Sequence, residues 1–359
     1  MDQPITTARL DEQRLEAFVG RMLGELGAAG SITLARIGDR LGLYKALHAK
    51  GPMTSAELAA ETGCAERYVR EWLAQQAASD YLTYDPDTRR FTLPAEHAMV
   101  FAVEDSPVFM MGAVELSASI AREADAVMAA FRTGEGVHYD NREGCLFCAM
   151  ARFFRTGYRN DLLTNWIPAL SGMTERLEAG ARVADIGCGH GLALVMMAEA
   201  FPNSTFTGYD FHEGSVAAAR EHAAAHGVAD RVRFEVATAK DFPGRDFDLI
   251  AFFDTLHDLG DPVGAAAHVR GALAPGGTLM VVEPQAADRL EDNFNPVGRL
   301  YYGGSTMICV PASLAQETGR ALGAQAGAAV LTSVLHKAGF TEVKRVADSP
   351  FNMVLEARG

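Results

Sequence analysis

The chain holds 359 residues, 48% of them hydrophobic and 22% charged, with 32 Lys and Arg against 46 Asp and Glu for a formal net charge of −14 at pH 7. That length exceeds one small domain and fits two, or one with a helical extension. The acidic balance excludes a polyanionic partner, whose phosphates require clustered Lys and Arg. Five scattered cysteines exclude a disulfide framework. With no secretory leader and no apolar run of spanning length, the expected setting is a reducing cytoplasm away from membranes.

The first residues, MDQPITTARLDEQR, form a polar arm of mixed charge. From Ser31 to Leu47 apolar residues recur at helical spacing until Gly51-Pro52 breaks the pattern. Thr54-Ser55-Ala56-Glu57 then offers an N-cap for a short helix ending near Gly63. Ala65 to Ala78 predicts a longer helix, and Tyr81 to Thr92 two strands joined by a polar turn at Asp85-Pro86-Asp87. This order is that of a winged helix-turn-helix. Its would-be DNA-facing part, Met53 to Asp80, sets Arg67 and Arg70 against Glu57, Glu61, Glu66, Glu71 and Asp80, two cations minus five anions for a net of −3. A recognition helix of that sign repels phosphate, so the expected role is dimerisation or scaffolding.

Glu96 to Gly172 is mostly helical in pattern and rich in aromatic residues and Met, among them Phe109, Phe131, Tyr139, Phe147, Phe154, Tyr158 and Trp166. Most of these predict helix-packing core, and a minority a pocket lining. From Ala181 strands and helices alternate, which predicts an α/β doubly wound sheet. The strands read as Arg182–Ile186, Thr205–Tyr209, Val232–Ala237, Asp248–Phe253, Thr278–Glu283, Glu342–Ala347 and Asn352–Ala357, with a last helix over Ala328–Ala338. Leu273 to Gly277 predicts a tight turn into the fifth strand, and the segment from about Gln285 to Gly327 is long enough to be a lid or interface element.

The chemistry concentrates at the strand ends. Asp185-Ile186-Gly187-Cys188-Gly189-His190-Gly191 closes the first strand with glycines spaced G-x-G-x-G and opens a helix at Leu192. Glycine permits the sharp turn and close approach of a ligand, and the helix N-terminus favours a negative group there. A dinucleotide fingerprint requires a further glycine where Leu192 stands, which opposes a nicotinamide oxidoreductase. Asp210, at the end of the second strand, is placed to accept hydrogen bonds from ribose hydroxyls, with Phe211 beside the base. Residues past the fourth strand, Asp254 and His257, face a ligand crevice. Cys145 and Cys148 form a lone CxxC without a second pair, more simply structural than a zinc site.

Together, D-I-G-C-G-H-G, Y-D-F, F-D-L-I with L-H-D, L-A-P-G-G and a final antiparallel strand resemble a class I S-adenosylmethionine (SAM) methyltransferase with a Rossmann-like seven-stranded sheet, over about 181–359. The winged helix resembles the dimerisation domain of small-molecule O-methyltransferases. The whole chain, with W-I-P-A-L at Trp166–Leu170 and N-P-V-G-R at Asn295–Arg299, is similar to actinobacterial winged-helix methyltransferases. The resemblance implies three parts: an arm and winged-helix dimerisation domain over 1–95, a helical linker and substrate cap over 96–172, and a SAM-binding domain over 173–359.

It further implies SAM as methyl donor, S-adenosylhomocysteine (SAH) as product, a small-molecule acceptor of secondary metabolism, no nucleic acid and a homodimer. Oxygen is the expected methylated atom, with nitrogen or carbon as alternatives. Cofactor contacts fall on Asp185, Gly187, Cys188, Gly189, Gly191, Asp210, Phe211, Thr238, Ala239, Phe253 and Tyr158. Thr238 stands where the pattern usually has an acid, which puts that contact in question. His257 matches the general base and Asp254 joins it at the acceptor. The tryptophan that often follows the L-H-D segment is here Leu259. The competing reading is a SAM-sensing winged-helix regulator without methyltransferase activity.

Overall fold

A computed structural model describes residues 10–139 and 145–359. The chain divides into two units, one ending at Ala118 and the other beginning at Ser119.

The first unit starts with a helix over Glu12–Arg40, whose N-cap Asp11 accepts the Arg14 amide at 3.1 Å. Burial begins only at Ser31, and Gly38 lets the helix press onto Trp72, whose ring would lie 2.4 Å from any added Cβ. The periodicity of Ser31–Leu47 proves to be two helices rather than one. Gly42 adopts φ 71° and a second helix runs over Leu43–Lys50. Ile37, Leu41 and Tyr44 keep the apolar i, i+4, i+7 spacing across the break, which hides it from the pattern.

The capping box at Thr54 and Glu57 forms as expected and opens the helix Ser55–Thr62, which ends at Gly63 with φ 66°. The helix Glu66–Ala78 and a hairpin, β1 (Thr83–Asp85) with β2 (Arg90–Thr92), complete the winged unit around Tyr44, Leu47, Leu58, Trp72 and Leu73. Arg67 pairs with Glu71 and Arg70 with Glu66 on their own helix, so both arginines of the would-be recognition surface are neutralised locally.

The second unit carries a sheet of seven strands: β3 (Arg182–Ile186), β4 (Thr205–Asp210), β5 (Val232–Val236), β6 (Phe247–Phe253), β7 (Leu273–Pro284), β8 (Glu342–Asp348) and β9 (Asn352–Arg358). Their spatial order is β5-β4-β3-β6-β7-β9-β8, parallel through β7, with β9 antiparallel to both neighbours. Strand alternation sends Val183, Leu249, Ala251 and Met280 into one core with Trp166 and Leu194. Ala184, Ile250, Leu279 and Val281 enter the other with Val269 and Leu335. One strand boundary departs from expectation by more than a residue. Leu273 pairs with Phe247 across a register shift, so Leu273–Gly277 belongs to β7 rather than to a turn before it.

Chain order reverses between β3 and β6, and at such a switch point the strand C-termini splay and leave a crevice. Two further segments flank it. One is the helix Cys145–Gly157, which continues through a π-helical turn over Tyr158–Trp166. The other lies in the expected insertion, where the helix Pro296–Gly304 passes through a second π turn, Ser305–Cys309, into Val310–Leu314.

Candidate active site

The crevice holds a cavity of about 440 Å³, lined by Gly187, Cys188 and Gly189 after β3, Asp210 and Phe211 after β4, Thr238 and Ala239 after β5, and Phe253 and Asp254 at the end of β6. Tyr139, Phe147, Met150, Phe154 and Tyr158 form a facing wall, and Ala312, Gln316 and Glu317 come from the insertion.

The three glycines serve different ends. All lie at positive φ, 77° at Gly187, 51° at Gly189 and 70° at Gly191. A Cβ would come within 2.5 Å of Thr255 at Gly187 and 2.4 Å of Phe234 at Gly191, so those two are packing glycines. At Gly189 nothing lies within 4 Å, so the space a side chain would fill belongs to the cavity. Gly191 lies outside the lining and caps the helix Leu192–Ala200. The Gly187 and Cys188 amides donate to the Tyr209 carbonyl at 2.7 and 3.1 Å, fixing the turn onto β4.

Buried acids surround this turn. Asp210 accepts from the Gly189 and His212 amides, both at 2.9 Å, one on each carboxylate oxygen, which leaves further lone pairs for a ligand. Burial raises its pKa, and the two amides pull against that. Asp185 is 1% exposed, and burial together with Asp210 raises its pKa well above the usual carboxylate range. Among the described residues its Oδ1 has no hydrogen-bond partner. Asp254 sits at φ 50°, a conformation that costs about 1–3 kcal/mol without glycine. It is pinned there by its amide on Val282 O at 2.8 Å and by Asn352 Nδ2 on its Oδ1 at 2.9 Å. Its Oδ2 likewise has no partner among the described residues. Burial and Glu283 hold its pKa well above normal.

Tyr158 is buried edge-on against Phe253, ring centroids 5.4 Å apart. Burial, Asp254 and Asp185 push its hydroxyl pKa well up, and burial does the same for the Cys188 thiol. Phe211 stands half-exposed at the rim. Thr238 turns its hydroxyl and amide onto Asp241 Oδ1 at 2.7 and 2.8 Å.

His257 is not among the lining residues. Its Nδ1 lies 2.5 Å from Glu283 Oε2 and its Nε2 lies 3.2 Å from Asp258 Oδ1. Burial opposes its charge, but Glu283 and Asp258 outweigh it and hold the imidazole protonated well above its ordinary range. The residue that reaches the cavity is Asp258, whose Oδ2 accepts the Tyr139 hydroxyl at 2.6 Å. Burial disfavours its charge, yet His257 and these hydrogen bonds keep its pKa below normal. His257, Asp258 and the Cys309 thiol converge within 4.8 Å, with the imidazole held protonated and burial pushing the thiol toward its neutral form, so the cluster lacks the free lone pairs that a metal ion takes. Sequence reasoning missed Glu283, although a lone acid closing the apolar run L-M-V-V-E-P at a strand's C-terminal end was its signal. It also missed the rim, where Lys240 Nζ bridges Asp261 and Glu317 at 3.2 and 3.1 Å. Cys148 is exposed, and the side chain of Cys145 lies outside the described residues.

Residues 177–327 match the methyltransferase domain family and residues 28–102 the Rv2258c-like winged HTH domain family. The chain is 33% identical over 157 residues to 27-O-demethylrifamycin SV methyltransferase of Amycolatopsis mediterranei, covering 40% of this chain and 57% of that one. It spans between about a quarter and somewhat over half the length of the curated relatives it matches. Among solved structures it superposes on PigF with SAH at a TM-score of 0.72, 16% identity and coverage of 98% and 100% of the two chains. NcsB1 from neocarzinostatin biosynthesis, in complex with SAM and 2-hydroxy-5-methyl naphthoic acid, gives 0.61 at 17% identity, covering 91% and 95%. At these identities the likeness is one of fold.

Proposed function

We propose that this chain, which pairs a methyltransferase domain with an Rv2258c-like winged helix-turn-helix domain, transfers a methyl group from SAM to an oxygen of a small-molecule acceptor. The observation that carries this reading is one cavity joining the open face of Gly189, the buried carboxylate of Asp210 and the ionised Asp258. The residues present fit the cofactor. Asp210 retains acceptor capacity that two ribose hydroxyls would use, Ala239 and Phe211 would flank the base, and the unpartnered Oδ1 of Asp185 would take an ammonium. Gly187, Cys188 and Gly189 line its path, with Phe253 and Tyr158 closing the apolar side. Bound there, SAM supplies an electrophilic methyl on a sulfonium.

The chain's own residues position the acceptor and accept its proton. Holding nucleophile and methyl in line is worth about 7–11 kcal/mol in intramolecular models. Asp258 takes the hydroxyl proton at the cavity wall. His257, clamped by Glu283, acts through Asp258 as a positioning residue: it fixes that carboxylate and keeps it ionised. Asp254 faces the acceptor.

The same reading includes a homodimer in the cytoplasm. Residues 12–30 of the first helix are almost wholly exposed, yet they carry Leu15, Phe18, Val19, Met22, Leu23 and Leu26. An apolar face of that length calls for a cover, and a second copy supplies one. No helix among the described residues is long and apolar enough to cross a membrane.

Calorimetric titration with SAH, followed by methyl transfer from labelled SAM to a panel of phenols, tests the proposal. Binding and turnover are expected, and absence of SAH binding overturns it. The regulator reading is tested by a gel shift at low salt, where the neutralised arginines lead us to expect no retardation.

A further inference from the structure

We propose that the acceptor carries a protonated amine, held by the Asp254 carboxylate against the aromatic wall of the cavity. This rests on the methyl-transfer reading above and names the acceptor class. The first observation is the aim of Asp254. It is 8% exposed, its Oδ1 is taken by Asn352, and its backbone is pinned to β7. Asp254 is a lining residue of the cavity, and its buried Oδ2 has no partner among the described residues. A buried carboxyl oxygen left unpaired is costly, so the site is completed by a donor that arrives with the ligand.

The second observation is the charge of the walls. Asp185, Asp210, Asp254, Asp258, Asp261 and Glu317 all line the cavity. Lys240 is the one Lys or Arg among the described lining residues, and it is engaged by Asp261 and Glu317. Two imidazoles, His138 and His190, also line it, and burial holds His190 toward its neutral form. An anionic acceptor meets the ionised Asp258 while Lys240 is already engaged, which disfavours it. An ammonium meets Asp254, with the rings of Tyr139, Phe147 and Phe154 lining the same space to stack the ligand body and attract its charge. With Asp185 assigned to the cofactor, Asp254 is left for the acceptor, and the hydroxyl of an amino-hydroxy compound then turns to Asp258.

The experiment uses full-length protein saturated with SAH and titrates matched phenols that differ only in the side-chain terminus. The pairs are tyramine with 4-hydroxyphenylacetate, dopamine with 3,4-dihydroxyphenylacetate, and serotonin with 5-hydroxyindole-3-acetate. In at least one pair the amine is expected to bind tenfold or more tighter than its carboxylate twin. Asp254→Asn is expected to bring that ratio near one while SAH affinity holds. Carboxylates binding as tightly as amines, no member of any pair binding, or a ratio that survives Asp254→Asn overturns the proposal. The wild-type ratio decides alone if the variant does not fold. Failure of SAH itself to bind falls on the methyl-transfer reading instead.

Discussion

The amide of Gly189 donates to Asp210 Oδ2 at 2.9 Å, so the residue that opens the cavity and the residue that closes β4 hold each other in place. Loss of the carboxylate removes both a ligand contact and a support for the turn. Asp210→Ala is expected to weaken SAH binding by at least tenfold, consistent with about 1.5–3 kcal/mol for a hydrogen bond to a charged group. Far-UV circular dichroism is expected to remain native. Unchanged calorimetric affinity sinks the ribose assignment.

The glycine turn predicts two substitutions with different outcomes. Gly191→Ala drives a methyl into the Phe234 ring at positive φ and is expected to lower the melting temperature by several degrees. Gly189→Ala meets no atom within 4 Å and pays only the backbone strain, about 1–2 kcal/mol, while its methyl enters the cavity. Its main effect is expected on SAH affinity. Equal loss of stability in both variants contradicts this division.

His257 and Glu283 form a buried charged pair, so removing one leaves the other uncompensated at about 3–5 kcal/mol. Glu283→Gln alone is expected to be strongly destabilising, and the double variant with His257→Gln less so than the sum of the singles. The folded imidazole has a raised pKa, so its contribution to stability is complete below the unfolded value near 6.5. It is lost as pH rises through the folded value. Denaturation midpoints from pH 6 upward are therefore expected to fall in the wild type more steeply than in His257→Gln. In turnover, His257→Ala is expected to reduce methyl transfer more than SAH binding.

Glu115 gives the opposite pH sign in the first unit. Burial opposes its ionisation, but Arg40 and Arg36 on its two oxygens depress its pKa below the usual glutamate range. The stabilisation is present above the unfolded value and disappears as pH falls through the folded one. Glu115→Gln is expected to cost about 1.5–3 kcal/mol at neutral pH. That difference from wild type should shrink under acid in urea titrations, and a constant difference counts against the pairing.

The exposed face of the first helix makes a prediction about assembly. Phe18→Glu combined with Leu26→Glu is expected to halve the mass seen by light scattering at micromolar concentration. A monomeric wild type removes the homodimer from the reading.

Much of this fold was legible because its parallel strands are buried on both faces and read as short apolar runs between glycine turns. β3 matches its expected span, and β4, β5, β6, β8 and β9 differ by one residue at an end. Local patterns failed where tertiary context decides. The helix break at Gly42 hides within continuous apolar spacing, and Leu273–Gly277 becomes strand because Phe247 lies beside it. The Gly189 and Asp210 side of the cavity follows from motif spacing, since the residues at the ends of β3 and β4 must meet at the switch point. The Asp258 side does not. Asp258 rather than His257 reaches the cavity because Glu283, far along the chain, draws the imidazole inward.

The bridge from Lys240 to Asp261 and Glu317 also bears on how fast ligands pass. Contacts of this exposure are screened by solvent and weaken further with ionic strength. The bridge ties the loop after β5 to Glu317 of the insertion by screened charge alone. Residence times of product should therefore shorten as salt rises, independently of the chemistry within.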